Sequence, residues 1–285
     1  MTLDSLRCFC AVVDTGSFRA AAERVLRSQP AVSQQVKTLE REVGHVLLER
    51  ATCKMTPSGV ALYARASRLL ADADALAREL RDFDESRVRE LRLGTSDTTA
   101  LYVLPPIVRQ FARALPQTRL VIVNRPTEAV ADQVVRGELD LGIVTLPVRR
   151  AELEEQELFK QNLALVVPKQ STIGKRKRVS LQDLKDESFL LLDEHTRTGM
   201  LLREHFRAQS FEPQIVLDSG SFEVIKRYVA EGIGISFLPR NVISQADRLL
   251  TTVHVSGLPQ VTIGVIRRRG AYKTFAEKAF RDLLG

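Results

Sequence analysis

The chain has 285 residues, 44% of them hydrophobic, with 15 glycines and 11 prolines, so it can form more than one domain with a full-sized core and is neither disordered nor fibrous. Its formal charge of +7 suits an anionic partner. However, Lys175-Arg176-Lys177-Arg178 and Arg267-Arg268-Arg269 carry much of that excess and read as solvated loop or strand-end charge. No N-terminal basic region leads into an apolar stretch, and no run reaches the roughly 18 apolar residues of a spanning helix, so the expected location is cytoplasmic, without a membrane partner.

From the N-terminus, Leu3, Leu6, Phe9, Val12 and Val13 recur every three or four residues and predict a first helix with one apolar face. After Thr15-Gly16, Ser17 can cap a second helix, in which Ala20, Ala21 and Ala22 permit close approach of a neighbour. Val25-Leu26-Arg27 then form a tight turn. Ser28 caps a third helix, with Pro30 in its first turn, where a missing N–H costs nothing. Val32, Val36 and Leu39 face inward, leaving Gln29, Ser33, Gln34 and Lys37 outside, and Gly44 ends the helix. Such outward amides and hydroxyls can hydrogen-bond base edges, and a lysine can reach phosphate. By periodicity alone this is also any three-helix unit with a solvated polar face.

The next segment, from Ser58 to about Glu85, has no proline and no glycine after Gly59. Leu62, Leu69, Leu76 and Phe83 repeat every seven residues, and Ala66, Ala73 and Leu80 form a second thread. Two interleaved heptad threads make a coiled-coil seam, or one long helix packed on its own domain. The short polar segment 86–90 is the expected hinge. Beyond it the pattern predicts a strand at Leu91–Leu93, a helix over Thr98–Ala114, a strand at Leu120–Val123, a helix over Glu128–Arg136 and a strand at Leu139–Val144. Further strands are expected at Leu163–Val167, Phe189–Leu192, Gln214–Leu217, Ile233–Pro239 and Val261–Ile266, with helices around Gly199–Ala208, Phe222–Glu231 and Tyr272–Leu284. Such alternation implies a mainly parallel sheet in an α/β fold. The chain should cross twice between two lobes, giving a cleft.

The N-terminal segment resembles the winged helix-turn-helix of LysR-type transcriptional regulators in its alanine cluster, its turn, the run Ser28-Gln29-Pro30-Ala31-Val32-Ser33, and the following Leu39-Glu40, Gly44, Leu47-Leu48 and Arg50. The resemblance continues through Leu104-Pro105, Phe111, Pro116, Gly137-Glu138-Leu139-Asp140-Leu141 and Gly232-Ile233-Gly234-Ile235 before Leu238-Pro239, which match an effector domain similar to periplasmic solute-binding proteins. It implies a DNA-binding domain over 1–58, a dimerisation helix over 59–85 using Leu62, Leu69, Leu76, Leu80 and Phe83, a hinge over 86–90, and an effector domain over 91–285. The two lobes would be 91–167 with about 257–285, and about 168–256.

By the same resemblance, the helix from Pro30 enters the major groove of promoter DNA, with Gln29, Pro30, Ser33 and Gln34 nearest the bases, Ser28 also among the DNA-binding residues, and Arg27, Lys37, Arg50 and Lys54 toward phosphate. The wing departs from the family: only Ala51, Thr52, Cys53, Lys54 and Met55 separate Arg50 from Thr56, and the usual extra arginines are missing, so fewer phosphate contacts are expected from it. A dimer or tetramer is implied, and RNA polymerase is left open as a further partner.

In the effector half, Ser96, Thr98 and Thr99 sit between the first strand and helix, Thr145 ends a neighbouring strand, and Thr196 and Thr198 follow Phe189–Leu192 across the cleft. Hydroxyls at these turns suit a small oxygen-rich effector, an anion, amino-acid derivative or carboxylate, or else they simply cap helices. Ser96 to Pro105 with Thr145 looks most like the CysB-type branch, whose effectors are sulfate and acetylserine-like molecules, although Asp97 departs by placing a carboxylate there.

A solute-binding protein without a DNA-regulatory role is the alternative, but it leaves residues 1–85 unexplained. No enzyme, metal or cofactor is expected. His45, His195, His205 and His254 are scattered, and Gly232-Ile233-Gly234 lacks the third glycine of a dinucleotide loop. Cys8, Cys10 and Cys53 are odd in number and all lie near the N-terminus, which fits reduced thiols. Oxidant-sensing members of the resembled family carry their cysteines in the sensor domain, where this chain has none.

Overall fold

The computed structural model describes residues 1–49, 52–82 and 89–284. Arg50, Phe83 and most of the expected hinge lie outside the described residues. Two compact units emerge: the N-terminal helices together with Arg136–Glu138, and the remainder of the C-terminal half.

In the first unit, α1 (Leu3–Thr15) starts at Thr2, whose hydroxyl accepts the Ser5 N–H at 3.1 Å. α2 (Phe18–Arg24) starts at Ser17, and α3 (Gln29–Val43) starts at Ser28 and ends at Gly44. The helical spacing sends Leu6, Phe9 and Val12, Ala21 and Ala22, and Val32, Val36 and Leu39 into one core. Leu3, expected on the same stripe, is half exposed. The Leu26 turn between α2 and α3 is left-handed, at φ 55°.

After α3, the Glu40 carboxylate accepts the backbone N–H of Leu47 at 2.9 Å, tying α3 to the segment that follows it. In the segment expected as the wing, Leu48 bridges Met55, and Cys53 donates its N–H to Glu49 O at 2.8 Å. α4 (Pro57–Asp82) then runs for about 39 Å at roughly 1.5 Å per residue. It starts hard against the wing because position 59 is glycine; a Cβ there would stand 2.1 Å from Leu47 O. Ala66 and Leu70 of α4 are buried and Leu62 packs against the same core, whereas Leu69, Leu76 and Leu80 are 49%, 56% and 62% exposed.

The second unit runs β1 (Arg89–Thr95), α5 (Asp97–Tyr102), α6 (Leu104–Ala114), β2 (Thr118–Asn124), α7 (Thr127–Val135), β3 (Leu141–Leu146) and β4 (Leu153–Pro168). It continues with β5 (Arg178–Val179), β6 (Ser188–Leu192), α8 (Arg197–Ala208), β7 (Gln214–Ser219) and α9 (Phe222–Ala230). It closes with β8 (Ser236–Pro239), β9 (Leu250–Val255), β10 (Gln260–Arg268) and α10 (Phe275–Asp282). The main sheet has the order β2-β1-β3-β10-β4-β9-β5, with β8 also on β4, and β6 pairs with β7 separately. The first lobe holds β1, β2, β3 and β10; β4 leaves it and enters the second.

Three expectations need correction. The sheet is mixed rather than mainly parallel, because β4 and β10 pair antiparallel over Leu153–Asn162 and Gln260–Arg268, and β4 pairs antiparallel with β8 and β9. The helix expected over Thr98–Ala114 is two helices broken at Val103, since Pro105 and Pro106 have no N–H for a continuing helix and fit only in the first turn of a new one. The strand expected at Leu139–Val144 begins two residues later. Gly137, at φ 68°, ends the turn after α7, and Asp140 is held beside β1 by the Arg92 N–H at 2.7 Å.

Candidate functional site

The sequence of α3 separates its two faces by the helical period alone. With Val32, Val36 and Leu39 buried, the opposite face presents Gln29, Pro30, Gln34 and Lys37 to solvent and Ser33 half-buried. Among the described residues, the side chains of Gln29, Ser33, Gln34 and Lys37 have no partner. Ser28 differs: its Oγ accepts the Ala31 N–H at 3.4 Å, capping the helix. Arg27 pairs with Asp4 at 3.0 Å, both partly exposed, so its guanidinium is lightly held. Lys54, in the wing, is exposed and unpaired among the described residues.

In the second unit, the ends of β1, β2, β3, β6 and β7 converge on a cavity of about 200 Å³. The β1–α5 turn brings Ser96, Asp97, Thr98 and Thr99, β3 brings Thr145, and the β6–α8 turn brings Thr196, Arg197 and Thr198. All six expected effector residues therefore face one space, but their chemistry divides them. Ser96 Oγ accepts the Thr99 N–H at 3.4 Å and lies 3.2 Å from Thr99 Oγ1. Thr196 Oγ1 accepts the Gly199 N–H at 3.0 Å and donates to Asp193 O at 2.7 Å. These hydroxyls are occupied by the helix starts they cap. Thr98, Thr145 and Thr198 are 9%, 9% and 6% exposed and have no side-chain partner among the described residues.

Three further lining residues were not assigned to the effector by the sequence, although Arg197 was placed at this turn. Gln161 on β4 is 9% exposed with an unpaired carboxamide. Arg197 has a buried Nε without a partner and only the Met200 thioether beside its Nη1, at 3.6 Å. Phe222, at the start of α9, forms part of an apolar wall with Ile263 and Pro239. Gln161 lies midway along β4, just after a charged stretch that conceals the strand; no motif marks it.

Two family profiles divide the chain. "Bacterial regulatory helix-turn-helix protein, lysR family" matches residues 3–60, and "LysR substrate binding domain" matches residues 84–285. The chain belongs to the LysR family. It is a DNA-binding transcriptional regulator with a C-terminal effector-binding domain. Relatives of this LysR-family chain include a "Probable hydrogen peroxide-inducible genes activator" of Streptomyces viridosporus, 32% identical over 99% of this chain and 95% of the relative. Another is the "HTH-type transcriptional regulator CysL" of Bacillus subtilis, 28% identical over 90% of this chain and 87% of the relative. A full-length OxyR variant from Pseudomonas aeruginosa superposes with a TM-score of 0.79 at 27% identity, covering 100% of this chain and 94% of that one. The LysR-family regulator CbnR in complex with its target DNA shares the fold, with a TM-score of 0.67 at 23% identity over 100% of this chain and 99% of that one.

Behind the cleft of this LysR-family domain, Lys226 is 6% exposed and its Nζ donates to the Tyr102 hydroxyl and to Val242 O, each at 2.9 Å. Its charge is met by Asp247 at 2.9 Å and Glu223 at 3.3 Å. Burial opposes ionisation of Asp247, but hydrogen bonds from Ser244 and Lys226 outweigh it and hold the carboxyl below its usual range. Elsewhere in the domain, burial pushes the Glu277 carboxyl up against the opposing pull of Arg267, its partner at 3.0 Å. No helix among the described residues is long and apolar enough to cross a membrane, and they contain no cluster of metal-ligating side chains.

Proposed function

We propose that α3 reads promoter DNA in the major groove and that a small metabolite bound in the cleft controls how paired copies of α3 engage two half-sites. The outward face of α3 carries this reading. Gln29, Ser33 and Gln34 offer uncommitted amides and a hydroxyl on a helix whose other face is locked into the core, and Lys37 supplies charge on the same side. Pro30 shapes the helix start between them. Ser28 acts through its cap and orients that first turn. Arg27, Lys54 and Arg50 are assigned to phosphate, the last by sequence position only. Only five residues, Ala51 to Met55, separate Arg50 from Thr56, so the wing has a short reach and α3 carries most of the contact.

Oligomerisation through α4 is supported by the exposure of Leu69, Leu76 and Leu80 along one seam. Leu62 is already used within its own unit. In the cleft, Thr98, Thr99, Thr145 and Thr198 are assigned to the effector, with Ser96 and Thr196 shaping the turns. We assign no enzymatic activity; the polar cleft residues include no nucleophile hydrogen-bonded to a base. DNA as partner places the protein in the cytoplasm. Peroxide sensing, named for one relative, is not carried over: Cys8 and Cys10 are buried, and no cysteine follows Cys53.

The test is a titration of the protein against DNA upstream of its own gene over a range of salt, with Ser33→Ala and Gln34→Ala beside the unaltered chain. Specific binding that weakens steeply with salt, with sequence preference lost in the variants, is the expected result. No binding to any DNA at low salt would end the regulator reading and leave the cleft as a solute site.

A further inference from the structure

The cleft's chemistry restricts its occupant beyond "a small effector". Four side chains on its inner surface, Thr98, Thr145, Gln161 and Thr198, are each more than nine-tenths buried, uncharged, and without an intramolecular partner among the described residues. Buried hydroxyls and amides left unpaired cost free energy, so water or a ligand must satisfy them. Each of these groups can donate and accept, so they match a ligand with hydroxyl groups, which also do both, rather than one that only accepts.

Charge is arranged differently. Asp97 and Arg125, one charge of each sign, line the cavity as exposed residues, while Arg197 is half-buried. Apart from its contact with the Met200 thioether, the Arg197 guanidinium is uncommitted, its Nε buried and unpaired. A guanidinium fork pairs with one carboxylate. Among the described lining residues the other cation, Arg125, is exposed to solvent, so Arg197 is the one partly buried cation available to an acid removed from water. The cavity of about 200 Å³ is more than a lone tetrahedral oxyanion fills, and Phe222, Ile263 and Pro239 provide an apolar wall for a short carbon skeleton.

We infer that the cleft selects a small organic monocarboxylate bearing hydroxyl groups, with Arg197 holding the carboxylate and Gln161 and Thr198 selecting for the hydroxyls. This rests on the reading of the cleft as the effector site. Gln161 and Arg197 are thereby specificity-determining residues.

Calorimetric titration of the full-length protein tests the class with matched probes: D-glycerate and quinate as hydroxylated monocarboxylates, propionate without hydroxyls, glycerol without the carboxylate, malate as a dianion, and sulfate. The expected order places a hydroxylated monocarboxylate at least about tenfold tighter than propionate, glycerol, malate or sulfate. Arg197→Met should weaken it by about tenfold or more, Arg197→Lys by less, and Gln161→Leu or Thr198→Val should reduce the preference for glycerate over propionate. Each variant's melting temperature without ligand checks that it folds; Arg197→Lys preserves the test if Arg197→Met does not. Sulfate or malate binding as tightly as the best monocarboxylate overturns the class, as does the failure of every acid to bind at 10 mM. A monocarboxylate that binds equally well in all the variants overturns the cleft as its site, and with it the effector reading, independently of the class.

Discussion

Lys226 Nζ lies 2.9 Å from the Tyr102 hydroxyl, joining α9 of one lobe to the end of α5 in the other. Both helices begin at the cleft, α5 just after Ser96 and α9 with Phe222. The link therefore spans the two walls behind the ligand space, and its ammonium also answers Asp247 and the Val242 carbonyl. Lys226→Met strands a mostly buried carboxylate and should cost about 3 kcal/mol of effector-domain stability in urea unfolding, against about 1 kcal/mol for Tyr102→Phe. A cost of similar size for both would place the energy in the interlobe bond rather than in the ion pair.

The same cluster sets a pH dependence. The Asp247 carboxyl is held below its usual range, so its contribution is present above that range and is lost as pH falls through the lowered value. In the Lys226→Met variant the acid limb of a stability-versus-pH curve should be shallower. An unchanged limb would remove Asp247 from the account.

The exposed seam of α4 should separate from the fold of its own unit. Leu69→Glu with Leu76→Glu alters side chains that are 49% and 56% exposed, so melting of the single chain should barely move while sedimentation shows a smaller assembly. Ala66→Glu is the control: Ala66 is fully buried against α1, and this variant should unfold the N-terminal unit.

The thiols of α1 should be inert. Burial pushes Cys10 up to about 11, with a weaker opposing pull from Ser67, and also raises Cys8. In native protein at neutral pH, a thiol reagent should label Cys53 quickly and the other two slowly, with all three labelled in urea. A raised thiol value contributes stability below its ordinary range that is lost as pH rises through about 11, so Cys10→Ala should flatten the alkaline limb of N-terminal unfolding. Fast native labelling of Cys10 would show that α1 opens locally.

Some of this architecture is decided by the sequence alone. The period of Leu6, Phe9, Val12, Val32, Val36 and Leu39 fixes which faces of α1 and α3 are buried, and Ser17, Ser28 and Gly44 fix where helices begin and end, because capping and amphipathic spacing act within a few residues. The Ser and Thr turns at 96–99 and 196–198 were legible for the same reason. Tertiary structure decided the rest. Which hydroxyls are capped and which stand free, the place of Gln161 and Arg197 beside them, and the Tyr102–Lys226 link depend on strands 60 to 120 residues apart meeting at one cleft. Likewise, the antiparallel pairing of β4 with β10 joins segments about 100 residues apart, and the alternating charges on the first half of β4 are those of any exposed segment until β10 pairs with it. Local patterns record local free energies; a cleft assembled across the chain leaves no comparable trace in any one of its segments.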